Sequence, residues 1–128
     1  MAAVIHLDTH VVAWLYAGRT DILPAAARRA IDEHELLVSP MVVLELQYLY
    51  ETRRTTARAE VVLETLGREI GLGICDHPFK QITAVALGES WTRDPFDRLI
   101  VAQAKARGVA LVTKDSTIQQ HYRQVIWD

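Results

Sequence analysis

Five carboxylates, widely separated along this 128-residue chain, are the side chains best suited to chemistry. They are Asp8, Glu45, Asp94, Asp97 and Asp115. Acidic groups that meet without a cation repel each other and raise each other's pKa, so a cluster of them favours cation binding. Hard oxygen ligands without a supporting set of Cys or His favour Mg²⁺ or Mn²⁺ over Zn²⁺. Such ions activate water and neutralise a leaving oxygen, which makes phosphodiester hydrolysis the best-suited reaction.

Short apolar segments separated by helical patterns indicate the elements that position these acids. Strands are predicted at residues 4–7, 36–38, 72–75, 109–112 and 125–127, and helices at 10–17, 24–34, 40–50, about 56–70, 78–87 and 95–107, with a short helix around 118. Strands that are apolar throughout are typical of a sheet covered on both faces. The sequence therefore predicts an α/β fold, a three-layer α/β/α sandwich around a short, mostly parallel, Rossmann-like sheet, as a single domain over residues 1–128.

The predicted helices have recognisable beginnings and ends. Thr9 is expected to cap the first helix, and Ser39 followed by Pro40 starts the third. Thr55 or Thr56 is expected to cap the fourth.

The carboxyl ends of the predicted strands bring the acids together. Parallel sheets bind ligands at this edge, near the point where the strand order reverses. Asp8 and Asp115 follow the first and fourth strands. Asp94 and Asp97 begin the helix that leads into the fourth strand, so this helix starts at the same edge. Glu45 lies about one and a half turns into the helix after the second strand.

Each acid also has a purely structural interpretation. Asp94 and Asp97 favour a helix N-terminus, and Asp8 or Asp115 alone suits a cap or a turn. Glu45 is harder to explain in this way, because an ionised group among apolar neighbours needs a partner or a cation.

Neighbouring polar residues are secondary candidates. Thr9, Thr113 and Ser116 either orient the acids, bind a phosphate or cap helices. His6 and His10 flank Asp8, but they belong to a strand and a helix respectively, which makes metal ligation the lesser alternative.

Basic residues form two groups that either bind RNA phosphates or form solvated surface. They are Arg53, Arg54 and Arg58, and Arg93 and Arg98 beside the Asp-Pro-Phe-Asp motif. Trp14, Trp91 and Trp127 are expected to pack; Trp91, in a polar loop, is the best candidate for base stacking.

Bulk charge excludes some classes of protein. A net charge of −2 and a pI near 6.2 argue against a general nucleic-acid-coating protein, although bound cations would offset the acids of a nuclease site. Residues 1–7 have the pattern of neither a signal peptide nor a membrane span, so we expect a cytoplasmic protein that does not enter membranes. The single cysteine, Cys75, is expected to be buried.

Four segments carry a resemblance to a known family. They are residues 7–10 (Leu-Asp-Thr-His), 39–46 (Ser-Pro-Met-Val-Val-Leu-Glu-Leu), 93–104 (Arg-Asp-Pro-Phe-Asp-Arg-Leu-Ile-Val-Ala-Gln-Ala) and 111–115 (Leu-Val-Thr-Lys-Asp). In this order, over nearly the whole chain, they resemble a PIN domain, and specifically a VapC-type toxin of a type II toxin–antitoxin system. The third segment is the most specific.

The resemblance implies a function and a site. The family's acidic quartet corresponds to Asp8, Glu45, Asp97 and Asp115, with Asp94 as an additional acid. The expected metal ligands are Asp8 and Asp97, and Asp94 is either a further metal ligand or only a helix cap. It implies a Mg²⁺- or Mn²⁺-dependent endoribonuclease that cleaves transfer RNA or another structured RNA, a homodimer, and a VapB-like antitoxin whose tail blocks the active site.

Three other functions fit the sequence less well. An Asp-dependent phosphatase would need a second Asp where this chain has His10, and a phosphoreceiver would need an acidic pair beside the first strand. A catalytically silent PIN-fold module that binds RNA or protein is the remaining alternative, and the complete acidic set argues against it.

Overall fold

The structure is a computed structural model that describes residues 3–128. Met1 and Ala2, the first residues of the predicted domain, lie outside the described residues. Residues 3–128 form five strands, namely β1 (Val4–Leu7), β2 (Glu35–Val38), β3 (Gly73–Ile74), β4 (Ala110–Val112) and β5 (Val125–Ile126). The seven α-helices of this part are α1 (Thr9–Tyr16), α2 (Ala25–Glu33), α3 (Pro40–Glu51), α4 (Ala59–Ile70), α5 (Phe79–Ala86), α6 (Pro95–Arg107) and α7 (Ser116–His121).

The strands form one parallel sheet in the order β3-β2-β1-β4-β5. The chain starts in the central strand β1 and places later strands on either side, so the order reverses between β1 and β4. Side chains of successive strand residues point to opposite faces, yet Ile5 and His6 are only 2% and 1% exposed. Helices therefore cover both faces, which confirms the predicted three-layer α/β fold.

The start of α1 differs from the prediction. Asp8, not Thr9, is the N-cap, and its Oδ1 accepts a hydrogen bond of 2.8 Å from the Thr9 backbone N–H. The Thr9 hydroxyl instead donates to Glu45. The sequence offered two adjacent capping residues, and the contact with a distant helix decides between them.

The predicted cap of α4 was also wrong. Neither Thr55 nor Thr56 caps this helix, because Arg58 occupies the N-cap position without a side-chain hydrogen bond. The Ala59 N–H instead bonds to the Gln47 side chain of α3 at 3.2 Å. A tertiary contact thus satisfies a backbone group that usually needs a local cap.

The starts of α3 and α6 agree with the sequence. Ser39 and Asp94 are their N-caps, each followed by a proline. Gly71 and Gly108 end α4 and α6 with φ values of 72° and 68°, a left-handed conformation that glycine adopts without steric cost.

The predicted third strand is shorter than expected. Its ladder contains Gly73 and Ile74, although Leu72 and Cys75 on either side are buried. A Cβ on Gly73 would lie 3.0 Å from Leu37 Cδ2, so the strands can approach closely here. None of the helices in the described part of the chain is both long and apolar enough to cross a lipid bilayer.

Candidate active site

One cleft at the carboxyl edge of β1 and β4 contains all five predicted carboxylates. Its volume is about 520 Å³. Its lining consists of Asp8, His10, Trp14, Glu45, Arg54, Asp94, Asp97, Lys114 and Asp115. The cleft lies where the strand order reverses, which is the usual ligand site of open parallel sheets.

Asp8 is the most deeply buried of these acids, with 6% of its surface exposed. Thr113 Oγ1 donates to its Oδ2 at 2.6 Å, and the Thr9 N–H donates to its Oδ1. Burial raises the pKa of this carboxyl, and the hydrogen bonds oppose that rise. Each oxygen keeps a lone pair for a further partner, so Asp8 is oriented but not saturated.

Glu45 extends from α3 toward the same cleft. Its Oε1 accepts from the hydroxyl of Thr9, which is fully buried. Partial burial raises the pKa of Glu45, and the nearby charge of Asp8 adds to the rise. Thr9 therefore donates hydrogen bonds to two acids, from its backbone N–H to Asp8 and from its hydroxyl to Glu45.

Asp94 and Asp97 differ in how they are used at the start of α6. Asp94 Oδ1 accepts from the N–H groups of Phe96 and Asp97 at 2.8 and 3.3 Å. Asp94 is therefore a helix cap that also lines the cleft. The Asp97 carboxylate accepts no hydrogen bond from residues 3–128, so it remains available to a ligand.

Asp97 is an acid of the cleft whose pKa is far above its usual range. Partial burial, together with the charges of the other four carboxylates, raises this pKa to about 7. Asp115 contributes although it caps α7, where its Oδ1 accepts from the Thr117 and Ile118 N–H groups. Its own position is fixed by Thr113, whose hydroxyl accepts from the Asp115 N–H at 3.0 Å.

No cation of residues 3–128 forms an ion pair with any of the five acids. The ion pairs of this part lie elsewhere, between Arg19 and Asp21, Arg68 and Glu64, and Lys105 and Glu89. The charges of neighbouring carboxylates thus contribute to the raised pKa values of Asp8, Glu45 and Asp97, and the His10 charge opposes this only at Asp8 and Glu45. Such repulsion is costly unless a cation binds.

Comparison with known proteins identifies the family. The PIN domain model matches residues 5–124. The chain is also similar to Ribonuclease VapC22 of Mycobacterium tuberculosis (strain ATCC 25618 / H37Rv), with 38% identity over 119 residues, 90% of this chain and 89% of that protein. The chain belongs to the VapC branch of the PIN-domain family.

Solved structures share the fold of this chain. The PIN domain superposes on VapBC2 from Rickettsia felis bound to a promoter DNA fragment with a TM-score of 0.65 and 19% identity, over 98% of this chain and 99% of that chain. It superposes on a toxin–antitoxin complex from Klebsiella pneumoniae with a TM-score of 0.65 and 18% identity, over 94% of this chain and 94% of that chain. For DNA-bound VapBC from Salmonella typhimurium the TM-score is 0.61 and the identity 20%, over 98% of this chain and 96% of that chain. At these identities the likeness establishes the fold.

The two histidines that flank Asp8 lie in different environments of this PIN domain. His10 lines the cleft. His6 is 1% exposed inside the sheet, and neither of its ring nitrogens has a hydrogen-bond partner among the described residues. Burial, with a smaller effect of Arg107, lowers its pKa to about 4. His6 is therefore a neutral core residue and does not line the cleft.

The candidate arginines are used in different ways. Of the first group, Arg54 lines the cleft, whereas Arg53 and Arg58 do not. Arg93 donates to the Ser90 carbonyl, and Arg98 donates to the carbonyls of Ala86, Leu87 and Thr92. Both guanidinium groups beside the Asp-Pro-Phe-Asp motif thus hold the loop that leads into α6.

All three tryptophans pack against the core as predicted, and Trp14, not Trp91, is the one that lines the cleft. Trp91 stacks on His121 at 4.8 Å and donates to Glu89, and it does not line the cleft. Trp14 does line it, beside Lys114. The sequence predicted packing for Trp14 and did not place either residue in the cleft, although Trp14 follows His10 by one helical turn and Lys114 precedes Asp115. Ser116, another candidate, is exposed and does not line the cleft.

The donor set fits magnesium better than zinc. Over residues 3–128, no three His, Cys, Asp or Glu side chains form a group ready to coordinate one ion. A structural zinc site needs a closed set of four such ligands. Mg²⁺ keeps several waters and binds through one or two carboxylates together with substrate phosphates, so Asp8 and Asp97 in an uncompensated acidic cleft suit it.

Proposed function

We propose that this VapC-family PIN domain is a divalent-metal-dependent endoribonuclease and the toxin of a toxin–antitoxin pair. One observation carries the proposal: five carboxylates from distant parts of the chain line one cleft, and none of them forms an ion pair within residues 3–128. The ribonuclease relative, with 38% identity over most of both chains, supports RNA as the substrate class.

Each acid has a proposed role. Asp8 and Asp97 are the principal ligands of Mg²⁺ or Mn²⁺, and Asp94 is a third candidate through the oxygen that does not cap α6. Glu45 and Asp115 complete the site or position the attacking water. The bound ion supplies positive charge for the phosphate and lowers the pKa of water.

The surrounding residues of the chain hold the acids for this task. Thr113 bonds to both Asp8 and the backbone of Asp115, and Thr9 connects Asp8 to Glu45. These bonds fix the carboxylates before substrate arrives, so binding does not have to order them.

Partners follow from the same proposal. The similar structures from Rickettsia felis, Klebsiella pneumoniae and Salmonella typhimurium are complexes of toxin with antitoxin, which supports a VapB-like antitoxin for this chain. We also propose a homodimer, a cytoplasmic location, and transfer RNA or another structured RNA as the target.

Cleavage of RNA by the purified protein tests the function. We expect total RNA to be cut in Mg²⁺ or Mn²⁺ and left intact in chelator. Asp8→Asn should lower the rate by more than about 100-fold, because it removes a ligand charge and leaves the volume unchanged. Asp76→Asn, an exposed loop acid outside the cleft, is the matched control.

The same assay separates the alternatives. Cleavage that persists in chelator would contradict the metal mechanism, and full activity of Asp8→Asn would contradict the site. A catalytically silent module would cut RNA under none of these conditions.

A further inference from the structure

Part of the cleft wall consists of side chains that are not acidic. They are His10, Trp14, Arg54 and Lys114, which line the cleft together with the carboxylates. The cationic side chains of Arg54 and Lys114 are exposed and, within residues 3–128, form no ion pair. An acidic cleft repels a polyanion, so unpaired cations at its rim are the groups that RNA phosphates would meet first.

Trp14 is the aromatic residue of this wall. Its ring is partly exposed and is supported by His10 and Trp127, each with a ring centroid 6.1 Å away. Lys114 Nζ lies 5.8 Å from the centre of the Trp14 ring, near the outer limit of a cation–π contact. A flexible, exposed lysine can leave that ring when another group arrives, so the face of Trp14 is accessible to a ligand.

Trp91 provides the contrast within the same molecule. The His121 ring covers the Trp91 ring in a parallel stack, with 6° between the ring planes, and Trp91 Nε1 donates a hydrogen bond to Glu89. A base that stacked on Trp91 would have to displace these contacts. Trp14 has no comparable stacked partner among the described residues.

We propose that Trp14, Arg54 and Lys114 form a subsite for one unpaired nucleotide of the RNA, next to the phosphate that is cleaved. The base stacks on Trp14, and Lys114 and Arg54 contact the flanking phosphates. This inference rests on the proposed ribonuclease function and deepens it.

The chemistry selects a single-stranded segment. A base can stack on a protein ring when it is not already stacked and paired in a duplex, and aromatic rings accept any base in this way. The subsite therefore favours loops, bulges or ends of a structured RNA over its helices.

Binding measurements on a non-cleaving protein test the phosphate contacts. The probe is a short fluorescent single-stranded oligoribonucleotide in Mg²⁺, and the parent protein carries Asp97→Asn. Lys114→Gln and Arg54→Gln should each weaken binding several-fold and reduce the slope of log affinity against log salt by about 0.7, the value for one lost phosphate contact on a single strand. Arg53→Gln, a neighbouring cation that does not line the cleft, should change neither.

The stacking contact has a different signature. Trp14→Leu should weaken binding of the single strand about ten-fold without changing the salt slope, and should leave the affinity for duplex RNA unchanged. Trp14→Phe keeps a ring and should retain most of the affinity, which guards against a simple loss of packing. Phe79→Leu, at a 60% exposed ring of α5 away from the cleft, is the control.

The outcomes are distinguishable from those of the cleavage assay. If the parent binds the probe and all cleft variants bind like their controls, the subsite is wrong and the nuclease assignment is unaffected. If Trp14→Leu weakens duplex and single strand equally, the stacking contact is wrong. If wild-type protein cuts no RNA and the parent binds none, the proposed function fails and the subsite fails with it.

Discussion

Asp97 is the residue at which the repulsion among the clustered carboxylates should be measurable as a loss of protein stability. Its pKa is raised from 3.8 to about 7 by burial and by the neighbouring carboxylates. Between these values the unfolded chain has released the proton that the folded protein still holds. The stability of the cation-free protein should therefore fall as the pH rises from about 4 to about 7.

The substitution Asp97→Asn isolates this effect. In chelator, we expect the variant to gain stability over wild type as the pH rises through this range, reaching on the order of 1–2 kcal/mol after allowance for partial exposure. Urea unfolding of both proteins across the range measures the difference. A difference in unfolding free energy between the two proteins that stays constant with pH would contradict a raised pKa at Asp97.

Thr113 is the second residue with a testable role, because its hydroxyl donates to Asp8 and accepts from the Asp115 backbone. Thr113→Val keeps the shape and removes both bonds. We expect RNA cleavage to fall by about 10- to 100-fold, as for other residues that orient metal ligands. Thr113→Ser keeps the hydroxyl and should retain most of the activity; equal loss in both variants would point to packing instead of orientation.

At the scale of elements, the acidic site was predictable because strand ends are visible in the sequence. Apolar runs located β1 and β4, and parallel topology then placed Asp8 and Asp115 on one edge. Ser39 with Pro40 marked the start of α3 and thereby the register of Glu45. These features depend on local patterns and on one general rule for parallel sheets.

The features that the sequence did not predict depend on contacts between distant elements. Thr9 could cap α1 by its type, but its hydroxyl bonds to Glu45 of α3. Gln47 satisfies the start of α4 in place of Thr55 or Thr56. The position of Trp14 in the cleft, in contrast to Trp91, likewise follows from packing that no local pattern encodes.

The loop between α5 and α6 is an element whose rigidity should matter for the site. Arg98 fixes it through three backbone carbonyls, at 2.8 to 3.3 Å, directly beside Asp97. Arg98→Met should lower the free energy of unfolding by about 1–3 kcal/mol and reduce RNA cleavage, because the partly buried carbonyls of Ala86 and Thr92 lose a charged donor and the start of α6 loosens. Chemical denaturation and the cleavage assay measure the two effects.

Arg93→Met is the matched control for this loop. Arg93 is exposed and donates a single bond, to the Ser90 carbonyl, so its loss should cost little stability. Equal effects of the two substitutions would contradict a specific role for Arg98.

At the scale of the whole molecule, a net charge of −2 hides a strongly uneven distribution. Five acids meet in one cleft, while Arg54 and Lys114 stand at its rim. A polyanionic substrate can approach such a cleft when a divalent cation neutralises the acids and the rim guides the backbone. The proposed site therefore combines the fold, the acidic edge and the basic rim, and in this proposal a divalent cation completes it.

The location of a bound cation is the most direct test of this account. Crystals grown with Mn²⁺ and measured near the manganese absorption edge would show the ion as an anomalous peak. We expect a peak in the cleft, within bonding distance of Asp8 and Asp97 oxygens, that is absent from crystals of Asp97→Asn. A cleft without a peak in saturating Mn²⁺, or an ion that contacts neither carboxylate, would contradict the account.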